Sequence, residues 1–312
     1  MYKCASFFAG VGGIDLGFQQ AGFEIIYANE FDKDACNTYN INHLIKADCR
    51  DIRNVLPEET PDFDIMLAGF PCQPFSVAGY REGFEDKKDR GNLFFELIRI
   101  AKIKKPKIIF LENVKNLSTH DNGRTLKIIL KELSDLGYQT KYKVLNSCKY
   151  GNIPQNRERI YIVAMLGEKM IENFEFPDEI SLTKEIQDVI DKNVDDKYFY
   201  TDKFMYYDEL KNNITNPKTV YQWRRKYVRE NKNNLCPTLT ANMGTGGNNV
   251  PIILTDCGIR KLTPKECFSF QGFPKDFELP VDLGDYKLWK QAGNSVSVPV
   301  IFRIAEKIMD AL

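Results

Sequence analysis

A chain of 312 residues, 43% hydrophobic and 28% charged, can bury the core of one large domain and a smaller one. No apolar run approaches membrane-spanning length and the N-terminus lacks a signal-peptide pattern, which sets membrane and secreted classes aside and leads us to expect a cytoplasmic protein. Forty-three Lys and Arg balance 43 Asp and Glu, so any nucleic-acid face must be a local basic patch on a neutral protein.

Strand-like and helix-like segments alternate from residue 3 to about 166. Lys3 to Phe8 reads as a strand, Ile14 to Gln20 as a helix stopped by Gly22, Glu24 to Ala28 as a strand and Asp32 to Asn40 as a helix. Short strands are expected at 44–47 and 65–68, then a helix from Leu93 to Ile103 closed by Pro106 and a strand at 107–112. Leu126, Ile129, Leu130 and Leu133 recur at helical spacing before Gly137, and strands at 140–146 and 159–165 complete the series. Such alternation predicts an α/β fold, a mainly parallel sheet with helices on both faces. After Pro177 the alternation stops. Residues 197–234 carry nine Lys or Arg against four Asp or Glu, with nine aromatics, and 238–251 are rich in Thr, Gly and Asn. We expect a large discontinuous domain, 1–177 plus 288–312, and a small domain with its hinge at 178–287.

Two strand ends carry chemistry. Ile65-Met66-Leu67-Ala68 runs into Gly69-Phe70-Pro71-Cys72-Gln73-Pro74-Phe75-Ser76, a proline-fixed turn that presents a thiol. Ile108 to Leu111 runs into Glu112-Asn113-Val114, a carboxylate at a second strand end. The other seven cysteines form no CxxC pair and only two histidines exist, so no zinc site is expected and most cysteines read as small buried hydrophobes. Arg157 and Arg159 alternate along one strand face, the pattern of an ion-pair ladder or of a cationic site. Between the first strand and first helix, Phe8, Ala9, Gly10, Val11, Gly12 and Gly13 form a loop whose glycines permit close backbone approach to a ligand. Glu30, about 20 residues on, stands where a carboxylate takes ribose hydroxyls, so the pair fits NAD, FAD or S-adenosyl-L-methionine. Asp15 occupies the place of the third glycine of the dinucleotide fingerprint.

Together these segments resemble the motifs of DNA (cytosine-5)-methyltransferases of the bacterial restriction–modification type. The resemblance covers nearly the whole chain, in order, with 178–258 loosely matched. It implies a Rossmann-like methyltransferase sheet with S-adenosyl-L-methionine as cofactor, bound by residues 8–13, by Glu30 at the ribose and by Phe31 beside the adenine. Asp48, or alternatively Asp51, would accept from the adenine amino group; Pro71 and Leu93 would pack on the cofactor. Cys72 would be the nucleophile at carbon 6 of a flipped-out cytosine. Glu112 would hold N3 and the exocyclic amine, Asn113 would position the segment, and Arg157 and Arg159 would sit beside base and thiol. Gln291 to Val296 is similar to the last motif, with Asn294 and Ser295 returning to the cofactor pocket. Residues 260–274 are similar to the preceding one, except that Ser269 stands where an arginine is usual.

The resemblance also implies double-stranded DNA as partner. Gln73 or Val77 would fill the gap in the helix, and Ser76 and Arg81 would meet the backbone. The basic–aromatic stretch Tyr221 to Arg229, with Arg224, Arg225 and Arg229, would contact bases and phosphates together with Thr238-Leu239. The pairing of 221–229 with 237–247 is similar to enzymes whose sites begin CC. A transfer-RNA cytosine-5 methyltransferase and a non-catalytic DNA-binding relative are the alternatives. A monomer is expected, with a cognate endonuclease acting on the same site without direct contact.

Overall fold

The structure is a computed structural model and describes residues 1–71, 93–224, 226–245 and 250–312. Contacts divide the chain into two compact units. The first holds Met1–Leu145, Glu158–Pro177 and Phe302–Leu312; the second holds Asn146–Arg157 and Asp178–Ile301.

In the first unit six strands form one sheet: β1 (Lys3–Phe7), β2 (Glu24–Asn29), β3 (Ile65–Gly69), β4 (Ile108–Val114), β5 (Tyr138–Asn146) and β6 (Glu158–Leu166), in the order β2-β1-β3-β4-β6-β5. β1 pairs in parallel with β2 and β3, β3 in parallel with β4, and β6 runs antiparallel to β4. Period-two alternation explains the layers. Ala5, Phe7, Met66, Ala68, Ile109, Leu111, Ile160 and Ile162 form one core with Leu97, Ile100 and Ala101 of the helix Leu93–Lys104 and Leu126, Ile129 and Leu133 of the helix Arg124–Asp135. On the opposite face, Phe18 of the helix Gly13–Gln20 meets Phe110 edge-on at 5.1 Å. The α/β fold expected from the alternation is therefore present, with helices on both faces.

One expected strand is absent. Residues 44–47 do not pair; Leu44 is 98% exposed, and only Asp48 bridges, to Asn29. An apolar pair beside Lys46 reads as a strand locally, but only Asp48, just past it, reaches the sheet edge at β2. The cysteine expectation also needs correction. Cys36, on the helix Lys33–Asn42, and Cys49, just past the Asn29–Asp48 bridge, are joined as a disulfide, and Cys257 is exposed.

The order sets β1 between β2 and β3, so its neighbours are reached in opposite directions. That makes the carboxyl ends of β1 and β3 a topological switch point, the position where open α/β sheets hold ligands. The glycine loop follows β1, Glu30 follows β2, the segment leading to Cys72 follows β3, and Glu112 ends β4.

The second unit contains an antiparallel sheet of four short strands, β7 (Tyr221–Arg224), β8 (Tyr227–Glu230), β9 (Ile252–Thr255) and β10 (Gly258–Lys261), in the order β10-β9-β7-β8. Leu210, Ile214, Tyr221, Ile252 and Ile259 make its small core. A buried ion pair, Arg260 to Glu266 at 2.6 Å, locks β10 to the helix Pro264–Ser269, and Thr263 caps that helix through Glu266. Ser269 is the last residue of this helix. Among the described residues no helix is long and apolar enough to cross a membrane.

Candidate active site and nucleic-acid interface

The glycine loop is built for close backbone approach. Gly10 and Gly12 take positive φ (57° and 84°), and a Cβ at Gly10 would meet nothing within 4 Å. Gly12 has the opposite surroundings: a Cβ there would lie 2.0 Å from His43 Nε2. Only glycine satisfies both the conformation and the contact. The His43 ring stacks on Tyr39 at 4.0 Å, and its Nε2 lies 3.2 Å from the Val11 carbonyl. Tyr39 and Ser6 donate to the two oxygens of Asp15 at 2.7 and 2.6 Å. Asp15 is fully buried, and burial pushes its carboxyl above the usual carboxylate range. The residue that breaks the dinucleotide fingerprint is thus the hub of a buried network under the loop. No motif signalled Ser6, Tyr39 or His43, because they meet only in three dimensions.

Glu30 is 8% exposed. Its Oε2 accepts from the Gly10 amide at 2.8 Å, and its Oε1 accepts from the Phe31 and Asp32 amides at 2.9 Å each. Burial pushes this carboxyl up, against the pull of the three amides. A carboxylate fixed this way retains lone pairs for a diol. Phe31, next to it, is 66% exposed, an aromatic face held out where adenine would stack. Asp48 accepts from Tyr27 at 2.8 Å and pairs with Arg50, whose guanidinium is the main cause holding the Asp48 carboxyl below the usual range. Asp51 is held down likewise by Arg53 and caps the short helix Ile52–Asn54. Leu93 opens its helix and packs against the main core. Positive-φ amides, a fixed carboxylate and an exposed aromatic form a donor set that fits an adenosine-bearing cofactor.

At the end of β4 the register sets Glu112 opposite Gly69 of β3 and Tyr161 of β6. Arg159, one step along β6 on the same face, pairs its Nε with Glu112 Oε1 at 3.2 Å, both side chains being nearly buried. A Cβ on Gly69 would lie 3.3 Å from Ile14 Cδ1 and in ordinary contact, 3.6 Å, with Glu112 Oε2. Asn113 points to the other face and donates to the Phe70 carbonyl at 2.8 Å, tethering the chain two residues before Cys72. Cys72, Gln73, Ser76, Val77, Arg81 and Arg225 lie outside the described residues; Pro71 is the last described residue before them and is exposed.

Arg157 differs from Arg159. It is 2% exposed and donates to the carbonyls of Leu239 at 2.9 Å, Gly293 at 3.2 Å and Ser295. The guanidinium expected beside a base is engaged with three carbonyls on two other segments of the second unit. Leu239 is buried as well, and the Thr238 hydroxyl donates to the Asn156 carbonyl at 2.6 Å. Of the Thr238-Leu239 dipeptide expected against DNA, Leu239 is thus an internal anchor, while Thr238 is half-buried and lines the cleft. Asn294 is exposed, and Ser295 ends the helix Asp285–Asn294, both within the second unit.

The second unit also holds a cleft of about 780 Å³, lined by the polar faces of β7 and β8 and by Asn156, Thr238 and Asn242. Arg224 and Arg229, both singled out from sequence, line it; Gln222 and Tyr227 line it too and were missed. Strict alternation along 221–229 was the signal that could have identified them.

Residues 2–310 match the family model described as C-5 cytosine-specific DNA methylase. The chain is 58% identical over 316 residues to the Type II methyltransferase M.Bsp6I of Bacillus sp. (strain RFL6), covering 100% of both. It is 38% identical over 321 residues to the Type II methyltransferase M.HhaI of Haemophilus parahaemolyticus, covering 98% of this chain and 93% of that one. Among solved structures, DNMT2 of Spodoptera frugiperda superposes with a TM-score of 0.75 at 20% identity, covering 99% of this chain and 100% of that one, a likeness of fold.

Proposed function

This chain belongs to the C-5 cytosine-specific DNA methylases of restriction–modification type, and we propose that it methylates a flipped-out cytosine in a short duplex site through a covalent Cys72 adduct. Members of the family use S-adenosylmethionine, which supplies an electrophilic methyl group when bound. Residues 8–13 would line that cofactor with their backbone, Glu30 would take the ribose hydroxyls, Phe31 would stack on the adenine, and Asp48 would accept from its amino group. Pro71 and Leu93 would pack on the cofactor.

The chemistry follows from what cytosine lacks. Its carbon 5 is a poor nucleophile. When the Cys72 thiolate bonds to carbon 6, the ring's π pair moves toward carbon 5 and gives it enamine character. Glu112 donates a proton at N3 as negative charge builds there, and accepts from the exocyclic amine. Arg159 faces Glu112 across an almost dry gap, where its charge acts strongly on the developing anion. Asn113 holds the Phe70 carbonyl and thereby the approach of Cys72. After methyl transfer, water or hydroxide removes the carbon-5 proton; that electron pair re-forms the 5,6 double bond and expels the Cys72 thiolate, and N3 returns its proton to Glu112. The observation that carries this reading is the Glu112–Arg159 pair at the strand end, with Gly69 opposite Glu112 three residues before Cys72 in the chain.

The basic face in the second unit supports duplex DNA as substrate, with Gln73, Ser76, Val77, Arg81, Arg224, Arg225 and Arg229 as contacts, and the paired stretches 221–229 and 237–247 favour a site beginning CC. The enzyme acts in the cytoplasm as a monomer, and a cognate endonuclease cutting the same site need not touch it. Bisulfite sequencing of unmethylated genomic DNA treated with the protein and S-adenosylmethionine tests this, with Cys72→Ser and transfer-RNA samples alongside. Protection in one short context, lost with Cys72→Ser, is the expected result; unprotected DNA would overturn the reading, and methylated RNA would replace the substrate.

A further inference from the structure

The ribbon β7–β8 has two chemically distinct faces. Tyr221 is buried in the small core and Trp223 packs against it, as does Val228 from β8. Gln222 and Arg224 alternate onto the opposite face. The register sets Gln222 directly across from Arg229, and Arg224 across from Tyr227, so these four share one surface in the cleft. Among the described residues no Asp or Glu lines that cleft, and no carboxylate pairs with either arginine there. A two-stranded ribbon with such a face has the width that a DNA major groove admits.

One hydrogen bond sets what the face can read. Arg224 Nη2 donates to Gln222 Oε1 at 3.0 Å. A guanidinium only donates, so the amide must turn its oxygen toward Arg224 and its NH₂ outward. One of the two lone pairs of Oε1, the acceptor a glutamine uses in bidentate pairing with adenine, is thereby engaged with Arg224. The guanidinium groups of Arg224 and Arg229 present donors alone, with the Gln222 NH₂ beside them. In the major groove guanine offers two acceptors, N7 and O6. Adenine and cytosine each place an amino donor where these donors would meet it, and thymine has one acceptor beside a methyl group.

We propose that Arg224 reads a guanine of the target site from the major groove, with Gln222 as the positioning residue that fixes its guanidinium plane. This rests on the DNA-methylating reading above and adds to it a base and two residues. In a site beginning CC, the guanine lies on the opposite strand. Losing a bidentate guanine contact relaxes discrimination roughly 10- to 100-fold at that one position.

The test uses the full chain, S-adenosylmethionine and a duplex library randomised on both sides of the target cytosine, read by bisulfite sequencing. Wild type, Gln222→Ala, Arg224→Ala and the charge-keeping Arg224→Lys are compared, with thermal melts confirming that each is folded. The expected result is one guanine position, fixed for wild type, that becomes tolerant in all three variants, most in Arg224→Ala. Unchanged site preferences in the variants, or relaxation of different positions by Gln222→Ala and Arg224→Ala, would overturn the proposal while leaving the methylating activity standing. A wild-type protein silent on every duplex would overturn both together, and is distinguished by that silence.

Discussion

The end of β4 in the first unit and the β7–β8 ribbon in the second are both polar, yet they are organised in opposite ways. Glu112 faces Arg159 across two neighbouring strands, Asn113 is tied to Phe70, and Glu30 is held by three backbone amides. On the ribbon, Arg224 has Gln222, and Arg229 has no ion-pair partner among the described residues. A reaction needs one geometry, so folding fixes its groups before any ligand arrives. A base sequence is read by groups that stay exposed until the duplex supplies their partners. Substitutions should separate the two regions: the first in rate, the second in selectivity.

Glu112→Gln makes the largest difference. It keeps the shape, removes the proton that N3 needs, and should lower single-turnover methyl transfer by roughly 10²- to 10⁴-fold with little change in duplex binding. Arg229→Ala should lose no more than about 1–3 kcal/mol, seen in affinity and site choice. Equal loss of rate in both variants would break the contrast.

Arg157 offers a sharper test, because sequence and structure assign it different work. If its guanidinium holds the three carbonyls, Arg157→Met costs about 3 kcal/mol of stability in urea unfolding, since buried acceptors lose a charged donor. A group acting at the base would instead leave unfolding unchanged and lower the rate.

That divergence marks what could be read from the chain itself. The βαβ alternation and the strand-end positions of Glu112 and the glycine loop were legible, because hydrophobic periodicity and turn residues are local. The strand expected at 44–47 was not, since whether a short run lies along the β2 edge depends on tertiary contacts that no local pattern encodes. Arg157 and Arg159 look equivalent in Gln155-Asn156-Arg157-Glu158-Arg159, but only Arg159 lies on a named strand, and their partners come from distant segments. The Ser6–Asp15–Tyr39 network was hidden for the same reason.

That network predicts that Gly12→Ala damages cofactor binding more than its size suggests. A side chain at φ 84° costs about 1–2 kcal/mol of backbone strain, and its Cβ must displace the His43 ring. Calorimetric titration should show S-adenosylmethionine affinity reduced at least tenfold. Gly10→Ala meets open space, carries the backbone term alone, and should lose less stability. Equal losses of stability would mean that His43 gives way freely.

The smallest effect is the pH dependence of the same packing. Burial lowers the His43 pKa below its ordinary value near 6.5, outweighing the opposing pull of Asp15 and the Val11 carbonyl. The unfolded chain then binds a proton that the folded protein refuses. Stability is full above about pH 6.5 and falls as pH drops from there toward the lowered folded value, by about 1.4 kcal/mol for each unit between the two. Asp15 has the reverse sign: its raised carboxyl favours the fold at low pH and loses that contribution as pH rises through its folded value. Urea unfolding at pH 7.5 and 5.5 separates them. His43→Gln, whose amide can still donate to Val11, should flatten the decline that wild type shows; the same slope in both proteins would mean that other groups set it and that His43 is protonated without cost in the fold.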